Sequence, residues 1–500
     1  MSVSGKHLIH KYIRLFAAAL CAGSLVLAPA IRACASAPTA AEQLLETNRS
    51  LPVQSNEVPG WPAGPVVGAE SAILMEAQTG TILYSKNIHQ QEYPASTTKI
   101  LTTLIAAERC QMDEIVTFSH DAVFDTPWDS SHIAMDVGQE LTMEQCLNAI
   151  LIRSANEVCY AVAEHITGTT DWQVFSDIMN ERADELGCLN SHFSNPNGLP
   201  ADDHYTTAYD LAMIGRSFFA NEMLCKITLA PRIDFPPTDK LPQGKLENNH
   251  MEIIPGGAYA YEYLVGCKTG YTDDARSCLV SCAEKNGMKL ICVVMKDEAP
   301  CHYEDTISLF EYGFSNFEKV YVSQTETKYN IDNTGLFYSG NDIFGSSQPF
   351  LSLNKDDFII LPRTISFEDV ESSISYETGD ENQAAVITYA YQGLSLGSVR
   401  VDFTVSEDDS SIFDTPSESE ESSGLAAGNG NEPEDSSIVF INVTAILIGC
   451  AALGGALLIW LIVHIILKNY NISPRSGRRS WRKRNRHRRR RDRKYKDYDF

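Results

Sequence analysis

Three short groupings combine residue types that can do acyl-transfer chemistry. They are Ser96-Thr97-Thr98-Lys99, directly after Pro94-Ala95, then Ser154-Ala155-Asn156, and Lys268-Thr269-Gly270. A serine followed three residues later by a lysine at a helix start puts the amine on the same face as the hydroxyl, within reach of its proton. The amine can act as a base only when partly neutral, which burial and a second nearby cation favour. A helix start also brings a backbone N–H and a positive dipole end to a developing oxyanion. Ser154 and Asn156, at an expected break between helices, can relay a proton between Lys99 and a leaving group and hold an amide. Lys268 and Thr269 offer a cation and a hydroxyl to a carboxylate, and Gly270 lets a substrate backbone approach. The N–H groups of Ser96 and Tyr271 would make the oxyanion hole.

No grouping decides the matter alone. Ser-x-x-Lys recurs at Ser352 to Lys355 and at Ser480 to Lys483, and Ser-x-Asn also begins at Ser85, Ser339 and Ser352. By itself Ser154-Ala155-Asn156 reads as a helix cap and Lys268 as a surface strand lysine. Lys-Thr-Gly, however, occurs once, and only Ser96 followed by Ser154 precedes it in the right order and setting. The constellation carries the inference.

The elements that must position these residues show in the hydrophobic pattern. Residues 71–75 and 81–84 read as a hairpin across Gln78-Thr79-Gly80. Residues 96–109, apolar on several faces, predict a buried helix. Residues 142–152 and 156–166 predict two helices, broken around Ser154 and closed by Gly168. Residues 263–267 predict a strand ending at Lys268, and residues 277–283 and 289–295 two core strands joined by the Asn286-Gly287 turn. A closing helix is expected over 303–317. Strands on both sides of a helical block predict an α/β sandwich in which helices cover an antiparallel sheet. Short alternating stretches over 318–405, such as 385–391 and 398–405, predict a small all-β domain.

The ends of the chain bear on location. Lys6, Lys11 and Arg14, an apolar run from Leu15 to Ala28 and the small residues Ala33-Cys34-Ala35 read as a secretory leader over 1–35. Residues 36–66 are expected to be a linker and 67–317 the catalytic domain. Residues 406–437, rich in Ser, Glu, Asp and Gly, predict a disordered spacer. Ile438 to Leu467 holds no Asp, Glu, Lys or Arg over a length that can cross a bilayer. Fifteen Lys or Arg against three Asp in the tail, 468–500, mark the cytoplasmic side. The expectation is a single-pass membrane protein with its catalytic domain outside.

The formal net charge of −25 hides a division: setting aside the tail (+12) and the leader (+4), the remainder carries −41. So acidic an exterior argues against nucleic acid as a partner. Of thirteen Cys, ten fall in the exterior part. Cys278 and Cys282, four apart on a strand, are too distant to bridge. No C-x-x-C or H-x-x-x-H grouping suggests a metal, and no cofactor is expected.

Taken together, the motifs resemble the D-alanyl-D-alanine carboxypeptidases, low-molecular-weight penicillin-binding proteins of the serine peptidase kind. The resemblance covers about Val67 to Phe317 and adds Asn195-Pro196-Asn197-Gly198-Leu199 and His204-Tyr205-Thr206-Thr207-Ala208-Tyr209-Asp210. It implies the penicillin-binding-protein/β-lactamase-like sandwich, peptidoglycan pentapeptide as substrate, release of its terminal D-alanine through an acyl-Ser96 intermediate, and acylation of that serine by β-lactam antibiotics. It also implies that the segments around Asn195 and His204 shape the site's edge, with His204 structural. Many such relatives carry an Arg near the closing helix that helps hold the substrate carboxylate. Here that segment reads Cys301-His302-Tyr303, and Arg276 or His302 is expected to take over the role. Two other readings stay open: a β-lactamase, disfavoured because Glu185 precedes Leu189-Asn190 by one residue too many, and a catalytically silent wall-binding protein.

Overall fold

The computed structural model describes residues 39–326 and 351–403, apart from Thr238, Lys240, Leu241, Gly379 and Glu381. The expected leader, acidic spacer, membrane span and basic tail all lie outside the described residues. Among those described, no helix is long and apolar enough to cross a membrane.

In chain order the elements begin with α1 (Ala40–Arg49), β1 (Ser71–Glu76), β2 (Ile82–Lys86), a 3-10 turn (Ala95–Thr98) and α2 (Lys99–Arg109). A helical lobe follows, with β3 (Ile115–Thr117), α3 (His120–Phe124), β4 (Glu140–Thr142), α4 (Met143–Arg153), α5 (Asn156–Thr167), α6 (Trp172–Glu185), α7 (Ala208–Ala220) and α8 (Glu222–Leu229). The chain returns through β5 (Arg232–Phe235), β6 (Lys245–Asn248), β7 (Leu264–Thr272), β8 (Arg276–Lys285), β9 (Met288–Asp297) and α9 (Cys301–Asn316). The β domain holds β10 (Phe317–Tyr321), β11 (Leu351–Leu353), β12 (Phe358–Pro362), β13 (Glu371–Ser375), β14 (Gln383–Tyr391) and β15 (Leu394–Phe403).

The central sheet is antiparallel, in the order β2-β1-β9-β8-β7. Its strands are apolar on both faces because both are covered. Ile73, Met75, Val280, Ile291 and Val293 join the core under the helical lobe. Leu74, Leu279, Leu290, Cys292 and Val294 pack instead with Leu309 and Phe310 of α9. The sandwich follows the sequence expectation, short strands occur over 351–403 as expected, and Asn286 and Gly287 both take positive φ in the turn between β8 and β9. The ten described cysteines are all free thiols, seven of them buried.

Two expectations are corrected. The stretch assigned as a linker contains α1, which starts with a Thr39–Glu42 capping box and is docked by Asn48: its side chain donates to the carbonyls of Gly68 (2.9 Å) and Lys296 (3.1 Å). The sole buried residue of this helix is that polar Asn, so no apolar stripe announces it. Further along, β7 does not end at Lys268 but runs on through Thr269 and Gly270 to Thr272, with Lys268 to Thr272 paired with β8 throughout.

Candidate active site

Ser96 sits in the 3-10 turn and Lys99 begins α2. The tighter winding matters, since residues i and i+3 eclipse in a 3-10 turn, and it stacks the amine under the hydroxyl. Ala95 just before them is held at φ 48°, in the left-handed region that non-glycine residues rarely adopt. Thr97 Oγ1 donates to the Pro94 carbonyl at 2.7 Å and braces the turn.

Lys99 is completely buried, with three neighbours around Nζ: Ser96 Oγ at 2.8 Å, Asn156 Oδ1 at 2.7 Å and the Asn197 carbonyl at 2.6 Å. The last two can only accept, so they take the two hydrogens of a neutral amine and leave its lone pair facing the serine O–H. An ammonium would donate to all three. Proton transfer from Ser96 therefore needs no rearrangement. Burial draws the Lys99 pKa down to about 8, with Cys159 and Glu157 opposing.

Lys268 is equally buried and donates to Ser154 Oγ (3.2 Å) and to the Thr269 carbonyl (2.7 Å). Burial first and the Lys99 charge second bring it to about 7. Ser154 caps α4 in the left-handed conformation at φ 59°, which turns the chain sharply into α5. Asn156 then opens α5, its N–H donating to the Ser131 carbonyl at 2.9 Å. The expected relay from Lys99 through Ser154 is drawn differently here, because Ser154 is partnered by Lys268 while Lys99 reaches Asn156.

Gly270 has a reason other than substrate access. A Cβ there would lie 2.9 Å from the Pro94 carbonyl and 3.0 Å from the Ser96 and Thr97 nitrogens, so glycine lets β7 run against the nucleophile turn. Tyr271 follows with its side chain exposed and its O–H on Asp273. Thr269 meets a residue that sequence reasoning missed: its Oγ1 lies 3.3 Å from His250 Nε2, and His250 Nδ1 donates to the Ile152 carbonyl at 2.9 Å. That Nδ1 bond leaves Nε2 as the acceptor of a neutral ring. Burial and the Lys268 charge hold this histidine neutral, with its pKa near 4.

The Asn195–Leu199 turn does more than edge the site. It supplies the carbonyl on Lys99, and Gly198, at φ 83°, packs so tightly that a Cβ would sit 1.8 Å from the Ala95 carbonyl. His204 is structural, as expected: buried and neutral, it accepts at Nδ1 from the Ser194 N–H (3.1 Å) and meets Thr98 Oγ1 at 2.9 Å through Nε2.

The two expected carboxylate partners fare less well. The Arg276 guanidinium is taken by Glu298, with Nε at 2.8 Å from its carboxylate, and lies 5.9 Å from the Tyr271 ring centroid. Its charge is already compensated. His302 lies in the first turn of α9, its ring 3.9 Å from that of Tyr303 and its Nδ1 without a hydrogen-bond partner. Among the described residues no hydrogen bond links it to Lys268, Thr269 or Ser154. Glu185, weighed as a β-lactamase base, is tied to Arg182 at the protein surface.

A model of the D-alanyl-D-alanine carboxypeptidase family matches residues 60–299. The carboxypeptidase DacF of Bacillus subtilis is 34% identical over 259 residues, a match that spans 50% of this chain and 63%, less than two thirds, of that relative's length. DacB2 of Mycobacterium tuberculosis is 30% identical over 260 residues, covering 51% of this chain and 84% of that protein. The chain belongs to the D-alanyl-D-alanine carboxypeptidase family. The fold extends the likeness: penicillin binding protein 5 from Haemophilus influenzae, 24% identical, superposes with a TM-score of 0.53 over 68% of this chain and 98% of that one. This member of the family thus shares the penicillin-binding-protein fold.

Proposed function

We propose that the chain is a membrane-tethered, extracytoplasmic serine carboxypeptidase that removes the terminal D-alanine from peptidoglycan stem peptides. Lys99 takes the Ser96 proton, Ser96 Oγ attacks the carbonyl of the penultimate residue, and the oxyanion is held by the Ser96 and Tyr271 N–H groups. The C–N bond then breaks, the proton passes to the departing D-alanine amine, and an acyl-Ser96 ester remains. Water gives a proton to Lys99 and attacks the ester carbonyl, the acyl C–Oγ bond breaks, and Lys99 returns the proton to the Ser96 oxygen. Lys268 and Thr269 hold the terminal carboxylate, with His250 fixing the threonine hydroxyl. A β-lactam would acylate the same serine.

The single observation that carries this reading is the Lys99 environment, where two carbonyl-type acceptors leave the lone pair for Ser96. It also speaks against a silent wall-binding protein, in which a buried lysine would have no reason to face a serine hydroxyl rather than a third acceptor. The tether rests on sequence: the apolar run 438–467 and its basic flank.

Wild-type protein should release D-alanine from a D-Ala-D-Ala peptide and be labelled covalently by penicillin, while Ser96→Ala should do neither. In intact cells, external protease should free the labelled domain and spare a tag placed after Phe500. Labelling that persists in Ser96→Ala, or loss of the tag, would refute the respective half of the proposal.

A further inference from the structure

At the ends of α2 and α5 remote from the nucleophile, the fold assembles a second group of chemically able side chains. Cys110 caps the C-terminus of α2, Glu114 closes the turn that follows, and His165 lies in the last turn of α5. The Cys110 sulfur, a Glu114 oxygen and a His165 ring nitrogen all lie within 4.8 Å of one another. His165 Nε2 and Glu114 Oε2 are 2.8 Å apart, and the other Glu114 oxygen accepts from the Gln111 N–H at 2.6 Å. The turn is fixed to the start of α4 by the Met143 N–H on the Glu114 carbonyl (2.8 Å) and the Glu144 N–H on the Met112 carbonyl (3.0 Å).

We propose that Cys110, Glu114 and His165 form a binding site for a borderline divalent transition metal, zinc in the first instance. A thiolate, an imidazole and a carboxylate suit zinc, whereas calcium and magnesium take all-oxygen sets. Bonds of about 2.0–2.3 Å at tetrahedral angles separate donor atoms by about 3.3–3.7 Å. The His165–Glu114 contact would open by about half an ångström and the thiol would close in, both small side-chain adjustments on that scale. The His165 and Glu114 side chains are partly exposed, at 24% and 38%, so the fourth position faces solvent and takes water. The Gln111 N–H aims the carboxylate, the kind of outer contact that tunes metal ligands. On binding, the metal replaces the Cys110 thiol proton, which leaves to solvent, and a neutral His165 gives its Nε2 lone pair. The carboxylate gives up its bond to His165.

The placement defines the role. Lys99 stands at the near end of α2 and Asn156 at the near end of α5, and the metal ties the far ends of the same two helices. It would hold their relative position without touching substrate, so it should act on stability and leave the chemistry alone. Sequence spacing conceals the group, because His165 is 51 residues from Glu114.

Full-length protein stripped with a chelator and titrated with Co2+ should bind one equivalent, showing a thiolate-to-cobalt charge-transfer band and the visible bands of tetrahedral cobalt. Zn2+ should displace it and raise the midpoint of thermal unfolding by a few degrees. Cys110→Ser and His165→Ala should each abolish the charge-transfer band and the thermal shift while D-alanine release without metal is unchanged, which shows the variants are folded. Cys188→Ser and Cys301→Ser, at the other partly exposed thiols, should keep both signals. Absence of the thiolate band in wild type, or a band and shift that survive Cys110→Ser, would overturn the site and leave His165 and Glu114 as a plain hydrogen-bonded pair.

Discussion

Two lysines on different parts of this molecule look alike by every coarse measure. Lys86, on β2, is 1% exposed and Lys99 is 0% exposed, and burial draws both down to a pKa of about 8. Their partners separate them. Lys86 Nζ donates to three backbone carbonyls, those of Asn48 (2.8 Å), Val67 (2.9 Å) and Ala69 (2.7 Å), with Asp305 and Asp297 contributing favourable charge. None of the three can give a proton back, so a neutral Lys86 would turn its lone pair on an acceptor. Lys99 exchanges one carbonyl for the Ser96 hydroxyl and thereby becomes a base. Burial alone makes a lysine unusual; a single donor among its acceptors makes it useful.

Methionine at each position tests that contrast most severely. Lys99→Met should cut penicillin acylation by about 10²- to 10⁴-fold, the ordinary share of a general base, in a protein that still folds. Lys86→Met should leave acylation per folded molecule unchanged but lower stability by about 3 kcal/mol, because three buried carbonyls lose their donor and α1 loses one of its ties, that on the Asn48 carbonyl. Urea unfolding and acylation rates measured on both variants decide it. A Lys86 variant that loses acylation with its stability intact would erase the distinction.

The pH profile sharpens the same point within the site. Lys99 and Lys268 titrate as a pair between about 7 and about 8; the active form keeps their single proton on Lys268, the less populated of the two arrangements because Lys268 has the lower pKa, and its amount follows that of the singly protonated pair. Below about 7 both amines are charged, Lys99 has no lone pair, and acylation is slow. Above about 8 both are neutral, and the cation for the substrate carboxylate is gone. For the peptide acid, kcat/KM should therefore be bell-shaped, with its maximum between these values. An ester substrate lacking the carboxylate needs only neutral Lys99, so its rate should rise through about 8 and show no alkaline limb. A peptide-acid profile that goes on rising well above the upper pKa would show that the charge on Lys268 is not needed.

Much of this was legible in the chain, for unequal reasons. Ser96, Lys99, Ser154 and Lys268 declare themselves because side-chain identity at fixed spacing encodes the chemistry. The third partner of Lys99 does not, since it is a main-chain carbonyl delivered from Asn197, 98 residues away; the glycine after it was the available hint. Lys86 left no signal either, because its partners are backbone oxygens and the helix it anchors buries only Asn48. That helix still begins with Thr-x-x-Glu, a cap that could have been read. Gly270 reads in the sequence as room for a substrate backbone, whereas the close approach of Pro94 and Ser96 accounts for it inside a strand. His250 stands in a polar loop without periodicity, and only the fold carries it to Thr269.

The residue that assists at the substrate carboxylate carries the smallest expected effect. Arg276 and His302 were candidates by residue type, and His250 is the one that meets the Lys-Thr-Gly strand. His250→Ala should lower kcat/KM for the peptide acid by about fivefold, the worth of one hydrogen bond of about 1 kcal/mol, and affect a carboxylate-free ester less. Gln at that position, able to donate to the Ile152 carbonyl and accept from Thr269, should restore part of the loss. At Arg276, where φ is 52°, Asn tolerates the backbone, so Arg276→Asn removes the charge without added strain. Because Glu298 already neutralises that charge, both substrates should change by less than about twofold. A large loss confined to the peptide acid in Arg276→Asn, with His250→Ala silent, would return the carboxylate to the arginine and make Glu298 a partner it exchanges for substrate.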